Sequence, residues 1–103
     1  MGFDEELYGV ILERMERASP DSSYVARLSA KGEDAVFKKV GEEAVETVLA
    51  LKGGDRDEIV YEAADLIFHL YLALAFRGVT PSEVWGELRE RFGKSGLRRG
   101  GAE

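Results

Sequence analysis

Cysteine is absent from the 103 residues. That excludes disulfide staples, a thiolate metal site and a cysteine nucleophile, and it fits a cytoplasmic protein. Histidine occurs once, too few for the Glu-x-x-His pairs that di-metal oxidative four-helix proteins draw from two helices. Positive charge is scarce: 14 Lys and Arg face 20 Asp and Glu, for a net charge of −6. A generic nucleic-acid binder would show a basic face instead, so no nucleic-acid partner is expected. A phosphate-rich substrate stays open if metal ions supply the positive charge. No segment alternates convincingly as a strand, and no internal repeat is visible. The longest apolar run, at residues 66–76, is broken by His69 and is too short to span a bilayer. The start, Met1-Gly2-Phe3-Asp4-Glu5-Glu6, is acidic where a secretory leader is basic, so neither a leader nor a membrane partner is expected.

What is present describes an ordinary soluble domain, with 45% hydrophobic and 33% charged residues. A chain this short forms one domain, residues 1–103, with a modest core, and dimerisation is a common remedy for that. The two prolines bracket its organisation. Residues 3–18 read as a helix, with Phe3, Leu7, Ile11 and Met15 at helical spacing. Ser19-Pro20-Asp21-Ser22-Ser23 stops it, because Pro20 disfavours helix in the residue before it. Val25 and Leu28 anchor a short helical segment over Tyr24–Ala30, and Lys31-Gly32 breaks it. A helix from Glu33 or Asp34 to about Leu51 carries Phe37, Val40, Ala44, Val48 and Leu51 as its apolar stripe. Gly53-Gly54 ends it. Asp55 or Asp57 caps the next helix, about 58–76, closed by Arg77-Gly78. Thr80-Pro81-Ser82-Glu83 is a capping box with proline at the first helical position, opening a helix to about Phe92. The tail from Gly93 is rich in Gly and Arg and is expected to fray. The fold expected is all-α, a bundle of four to five helices.

The carboxylates gather in two places. Lys39-Val40-Gly41-Glu42-Glu43-Ala44-Val45-Glu46 sets three acids on less than two helical turns. Glu62-Ala63-Ala64-Asp65 sets two more inside a strongly apolar helix. Residues three or four apart share a helix side, so two such helices side by side would aim their acids at one another. Glu42, Glu43 and Glu46 lie roughly opposite the apolar stripe, which taken alone describes a solvated face. The 58–76 helix alters the balance. It is apolar nearly all round, as buried helices are, yet Glu58, Glu62, Asp65 and His69 form a stripe on it. Acids on a buried helix need a partner, and the residues alone leave two open: a Lys or Arg from elsewhere, or a metal ion. Oxygen-only clusters suit magnesium, which also keeps waters and phosphate oxygens. His69 reads first as a hydrogen-bonded core residue. Lys39 reads first as a partner of Glu43 at i+4. Lys31, in a loop before the acidic helix, and Lys38 are candidates for contacting phosphate. Trp85 reads as core or interface. Arg89, Arg91, Lys94, Arg98 and Arg99 give the C-terminal end a basic bias.

Glu-Glu-x-x-Glu, a spacer, then Glu-x-x-Asp resembles the signature of the MazG-like all-α nucleotide pyrophosphohydrolases. The surroundings narrow it. Ser23-Tyr24, Lys31-Gly32, Lys38-Lys39-Val40-Gly41-Glu42-Glu43-Ala44, Tyr61-Glu62-Ala63-Ala64-Asp65-Leu66-Ile67-Phe68-His69-Leu70 and Gly93-Lys94-Ser95-Gly96-Leu97 resemble the phosphoribosyl-ATP pyrophosphohydrolase family. Arg98-Arg99-Gly100-Gly101 departs from it, since that family tends to end in a more acidic, lysine-containing segment. The resemblance implies magnesium-dependent hydrolysis of the α–β phosphoanhydride of phosphoribosyl-ATP, the second step of histidine biosynthesis. It implies metal ligands at Glu43, Glu46, Glu62 and Asp65. Glu42 is implied as a further ligand or a water-orienting base, and Lys31, Lys38, Lys39 or Arg27 as aids to the phosphates. A homodimer that completes the bundle is expected, because one short chain cannot cover so apolar a helix. Two other readings remain: a housecleaning pyrophosphatase for noncanonical triphosphates, and a helical interaction module whose acids are salt-bridged.

Overall fold

A computed structural model describes residues 2–93, and they form five helices: α1 (Phe3–Arg17), α2 (Tyr24–Ala30), α3 (Glu33–Gly53), α4 (Arg56–Phe76) and α5 (Pro81–Phe92). The expected all-α architecture is what the chain adopts. The caps explain the boundaries. Ser23 accepts the Ala26 N–H at 3.2 Å to start α2. Thr80 and Glu83 close the expected capping box, with Glu83 N–H donating to the Thr80 hydroxyl at 3.2 Å and Thr80 N–H donating to the Glu83 carboxylate at 3.0 Å. Two helices run longer than their sequence pattern suggests. Gly53 stays helical and only Gly54 (φ +85°) takes the left-handed turn, so α3 reaches Gly53. Asp55 is the residue that caps α4, which therefore starts at Arg56. Beyond Gly93 the expected fraying of the tail lies outside the described residues.

α3 and α4 make an antiparallel hairpin that dominates the molecule. Facing pairs run from Thr47–Glu62 near the turn, to Phe37–Phe76 in edge contact at 6.5 Å, to the Glu33–Arg77 ion pair at 3.1 Å near the open end. α1 and α2 pack on that open end, and α5 packs on α1. The core therefore sits off-centre, built from Tyr8, Ile11, Val25, Leu28, Val36, Tyr71 and Leu72. The radius of gyration, 15.6 Å, exceeds the about 13 Å of a compact chain of this length, as a projecting hairpin requires.

Two expectations about burial are corrected here. The stripe Phe37, Val40, Ala44, Val48, Leu51 is not the inward face of α3 along its length. Val48 is 62% and Leu51 57% exposed. The buried residues of α3 are Val36, Glu43, Thr47 and Ala50. The reason is that α4 alone sets the inward direction near the turn, and past the reach of α1 and α2 no other described element covers the apolar stripe. For the same reason α4 is not buried all round: only His69, Tyr71 and Leu72 are. α4 as a whole is also longer than its 66–76 run. Its 21 residues, with mean hydropathy 1.6 over their most apolar stretch, suffice by length and composition to cross a membrane. Of the two places expected for Trp85, core or interface, the core is the one it does not occupy: it is exposed, and its indole N–H donates to the Asp4 carboxylate at 3.0 Å.

Candidate active site

The antiparallel hairpin brings the two acidic segments to one level. Glu42, Glu43 and Glu46 come from α3, Glu62 and Asp65 from α4, and together with Lys39 and Tyr61 they line an open cleft of about 420 Å³. Glu43 points inward against α4 and is buried, whereas Glu42 and Glu46 are exposed at the rim. The acids of α3 thus do not form one solvated face. The helix turns its middle carboxylate into the protein.

Two side chains brace the cleft from behind. The buried Thr47 hydroxyl lies 2.8 Å from the Glu43 carbonyl oxygen and 3.1 Å from the Glu62 carbonyl oxygen. His69, one turn beyond Asp65, is the buried hydrogen-bonded residue expected. Its Nδ1 lies 2.8 Å from the Asp65 carbonyl oxygen and 3.3 Å from Asp65 Oδ1. Its Nε2 lies 2.8 Å from the Tyr24 hydroxyl. A carbonyl only accepts, so Nδ1–H is the donor there, and in the neutral ring Nε2 accepts from Tyr24. The imidazole therefore links α2 to the main chain of an acid in the cleft. Ring contacts with Phe68 at 5.0 Å and Tyr24 at 5.6 Å hold its plane.

The electrostatics are those of too much negative charge in one place. Burial pushes the Glu43 carboxyl up, but hydrogen bonds from Lys39 (3.1 Å) and from Asp65 outweigh it and hold Glu43 below the usual carboxylate range. Asp65 moves the opposite way: burial raises it first, then its hydrogen bond to Glu43 and the Glu43 charge, against weaker help from His69 and Lys39. Glu62 is raised too, by partial burial and then by the charges of Glu43, Glu46, Asp65 and Glu58. Upward shifts of this kind are what clustered carboxylates show, because neutralising one member relieves the repulsion on the others. Lys39, 3.1 Å from Glu43, is the contact that distinguishes Glu43 from Asp65. Oxygens of Glu43 and Asp65 and a ring nitrogen of His69 lie within 4.8 Å of one another, close enough to hold a metal ion. Glu46 and Glu62 belong to the cleft but not to that tight group.

Of the sequence-predicted residues, the five carboxylates and Lys39 converge. Lys31 and Lys38 do not line the cleft. Lys31 follows α2 as its C-cap, and Lys38 lies outward, 3.9 Å from Glu42. Arg27 is engaged elsewhere, donating to the Pro20 carbonyl at 3.0 Å and lying over the Tyr24 ring. Three residues escaped the reading of individual side chains: Thr47, Tyr61 and Tyr24. Thr47 had a signal, four residues beyond Glu43 on one helix face. Tyr61 and Tyr24 had none apart from their place in the matched segments.

The family model for phosphoribosyl-ATP pyrophosphohydrolase matches residues 5–92. Proteins named phosphoribosyl-ATP pyrophosphatase are similar over most of the chain. One from Trichlorobacter lovleyi is 55% identical over 93 residues, covering 90% of this chain and 85% of the relative. One from Methylibium petroleiphilum is 56% identical over 87 residues, covering 84% and 72%. A third, from Magnetococcus marinus, is 53% identical over 96 residues; the match takes in 92% of this chain but 38% of that longer protein.

Proposed function

This chain belongs to the phosphoribosyl-ATP pyrophosphohydrolase family, and we propose that it hydrolyses phosphoribosyl-ATP between the α and β phosphates, giving phosphoribosyl-AMP and pyrophosphate in the second step of histidine biosynthesis. The observation that carries this reading is the cleft in which Glu42, Glu43 and Glu46 of α3 meet Glu62 and Asp65 of α4. Its carboxylate donors are hard oxygens, and Asp65 and Glu62 are pushed up by burial and then by the charges of their neighbours, so the set fits a divalent cation and magnesium in particular. Glu43, Glu46, Glu62 and Asp65 would hold it. Bound magnesium supplies charge neutralisation on phosphate oxygens and a more acidic water.

The remaining work falls to the chain itself. Glu42, at the rim, can orient a water and accept its proton. Lys39, now spent on Glu43, stands at the cleft wall within reach of a phosphate oxygen. The buried side of the cleft, Glu43 backed by Thr47 and Asp65 backed by His69, fixes direction, and fixed direction selects one anhydride bond over the others. Water adds to one phosphorus while the bridging oxygen leaves with the other product.

A second copy of the chain completes this reading. Val45, Val48, Leu49 and Leu51 on α3 and Val60 and Ile67 on α4 are exposed, an apolar face larger than a lone soluble chain usually leaves open. The enzyme is then a cytoplasmic homodimer of single domains. Light scattering at micromolar concentration should report a mass above the monomer's, and a stable monomer there would remove the dimer. For the activity, phosphorus NMR of the reaction should show pyrophosphate with no prior orthophosphate, lost in EDTA and regained with magnesium. Orthophosphate as first product, or full activity in EDTA, overturns the mechanism. Preference for dUTP or dCTP would keep the mechanism and move the protein to the housecleaning class.

A further inference from the structure

The turn-side half of the α3–α4 hairpin poses a packing problem. Both helices aim carboxylates into one cleft there, and like charges push them apart. The buried residues of α3 over that stretch, Glu43, Thr47 and Ala50, include no large apolar side chain. The core of Ile11, Val36 and Leu72 lies toward the open end. Between that core and the turn at Gly54 and Asp55, an uncharged hydrogen bond crosses from one helix to the other, from the Thr47 hydroxyl to the Glu62 carbonyl at 3.1 Å. The same hydroxyl is 2.8 Å from the Glu43 carbonyl. It has one proton, shared between two acceptors.

Both carbonyls belong to residues whose side chains enter the cleft. The bond to Glu43 alone would be an ordinary back-bond to the preceding turn, which slightly weakens a helix. A valine has the same shape and would bury an extra methyl. The hydroxyl therefore serves the second bond, the one that reaches α4.

We infer that Thr47 is a positioning residue of the carboxylate cluster: its buried hydroxyl ties the main chain of Glu43 to that of Glu62 and sets the spacing at which the two helices present their acids. The inference rests on the reading of the cleft as a metal-dependent hydrolase site. Thr47 acts through Glu43 and Glu62 and touches neither substrate nor metal. Losing such an outer support typically costs about 10- to 100-fold in metal affinity.

Manganese, as a probe for magnesium, can be titrated into the full chain and followed by the electron paramagnetic resonance of the free ion. Thr47→Val should bind manganese about 10- to 100-fold more weakly than the parent. Its kcat should fall at saturating magnesium, with a smaller change in KM. Thr47→Ser, which keeps the hydroxyl, should regain affinity to within about threefold of the parent, by the same scale. If Thr47→Val does not fold, Thr47→Ala and Thr47→Ser form the decisive pair, since both lack the methyl and differ by the hydroxyl alone. A parent that binds manganese while Thr47→Val or Thr47→Ala binds it as tightly overturns the role of Thr47 and leaves the proposed function standing. That includes a variant that melts earlier yet keeps full affinity, which would make Thr47 merely structural. A folded parent that binds no manganese overturns the metal reading, and this inference with it.

Discussion

The two halves of the α3–α4 hairpin are built on opposite plans. At the open end the interior is apolar: Val36 and Leu72 are fully buried, Phe37 meets Phe76, and charge is outside in the Glu33–Arg77 pair. Near the turn the pattern inverts. Glu43, Thr47 and Asp65 face inward while Val48, Leu51, Val60 and Ile67 face out. The same two helices thus run a stabilising core at one end and a destabilising charge cluster at the other. The first half keeps the hairpin folded, and the second can then tolerate repulsion that a cation relieves.

That contrast can be broken at its stable end first. Leu72→Ala removes a fully buried side chain and should cost about 2–5 kcal/mol of stability, as large-to-small core changes do. Thermal or urea unfolding would show it, and kcat of the folded fraction should stay at the parent value. A matching fall in kcat would mean that the two halves are not separable.

At the other end the effects should exchange places. Glu43→Gln, Glu46→Gln, Glu62→Gln and Asp65→Asn should each lower turnover by about a hundredfold or more, beyond what loss of an outer support costs, while circular dichroism stays unchanged. A folded variant with near-parent turnover would take that residue out of the ligand set.

A sharper version separates acids inside the cluster. In EDTA, Glu62→Gln should raise the melting temperature, because Glu62 is held among like charges. Glu43→Gln should lower it, because Glu43 has Lys39 as a partner at 3.1 Å. The Glu43→Gln loss should be about 0.5–2 kcal/mol, and the Glu62→Gln change is read by its sign. Equal shifts of one sign would show that Lys39 does not distinguish Glu43 from its neighbours.

The pH dependence follows with a definite sign. Glu62 and Asp65 are raised, so above the ordinary carboxylate value the folded chain keeps protons that the unfolded chain has released. Their contribution to stability therefore falls as pH rises through that window. Glu43 is lowered, so its contribution is present above the ordinary value and lost as pH falls below it. In EDTA the parent should lose stability as pH rises above the ordinary carboxylate range, and Glu62→Gln should lose less. Magnesium should flatten the fall. An identical slope in both proteins would remove Glu62 as a source of it.

The smallest effect is expected at Tyr24. Tyr24→Phe deletes the hydroxyl on His69 Nε2 but keeps the ring, so stability should drop by about 0.5–1.5 kcal/mol, one hydrogen bond's worth. Turnover should fall less than for any cleft acid. A loss as large as that of Asp65→Asn would place Tyr24 among the groups that touch substrate.

Much of the fold was legible along the chain, and where it was, the signal was local. Ser23, Thr80 with Glu83, and Gly54 mark helix ends through bonds to their own neighbours, so the five helices fall within about two residues of their sequence pattern. The acids were legible too, because three- and four-residue spacing puts carboxylates on one helix side whatever lies beyond. Which side faces in was not legible. Phe37, Val40, Ala44, Val48 and Leu51 make as good a stripe as Val36, Glu43, Thr47 and Ala50. Periodicity gives a direction relative to the helix and none relative to the neighbour.

By itself the sequence determined the helices, the break at Gly53-Gly54 between the two acidic ones, and the presence of five carboxylates and one lysine in two short segments. Those depend on interactions within a few residues. The tertiary structure alone decided that Glu43 turns inward and Glu46 outward, that Lys39 joins the cleft while Lys31 and Lys38 do not, and that the Thr47 hydroxyl reaches the Glu62 carbonyl. Each of these needs the axial rotation and offset of one helix against another. Those are set by the sum of many contacts between residues far apart in the chain, Leu72 and Val36 among them.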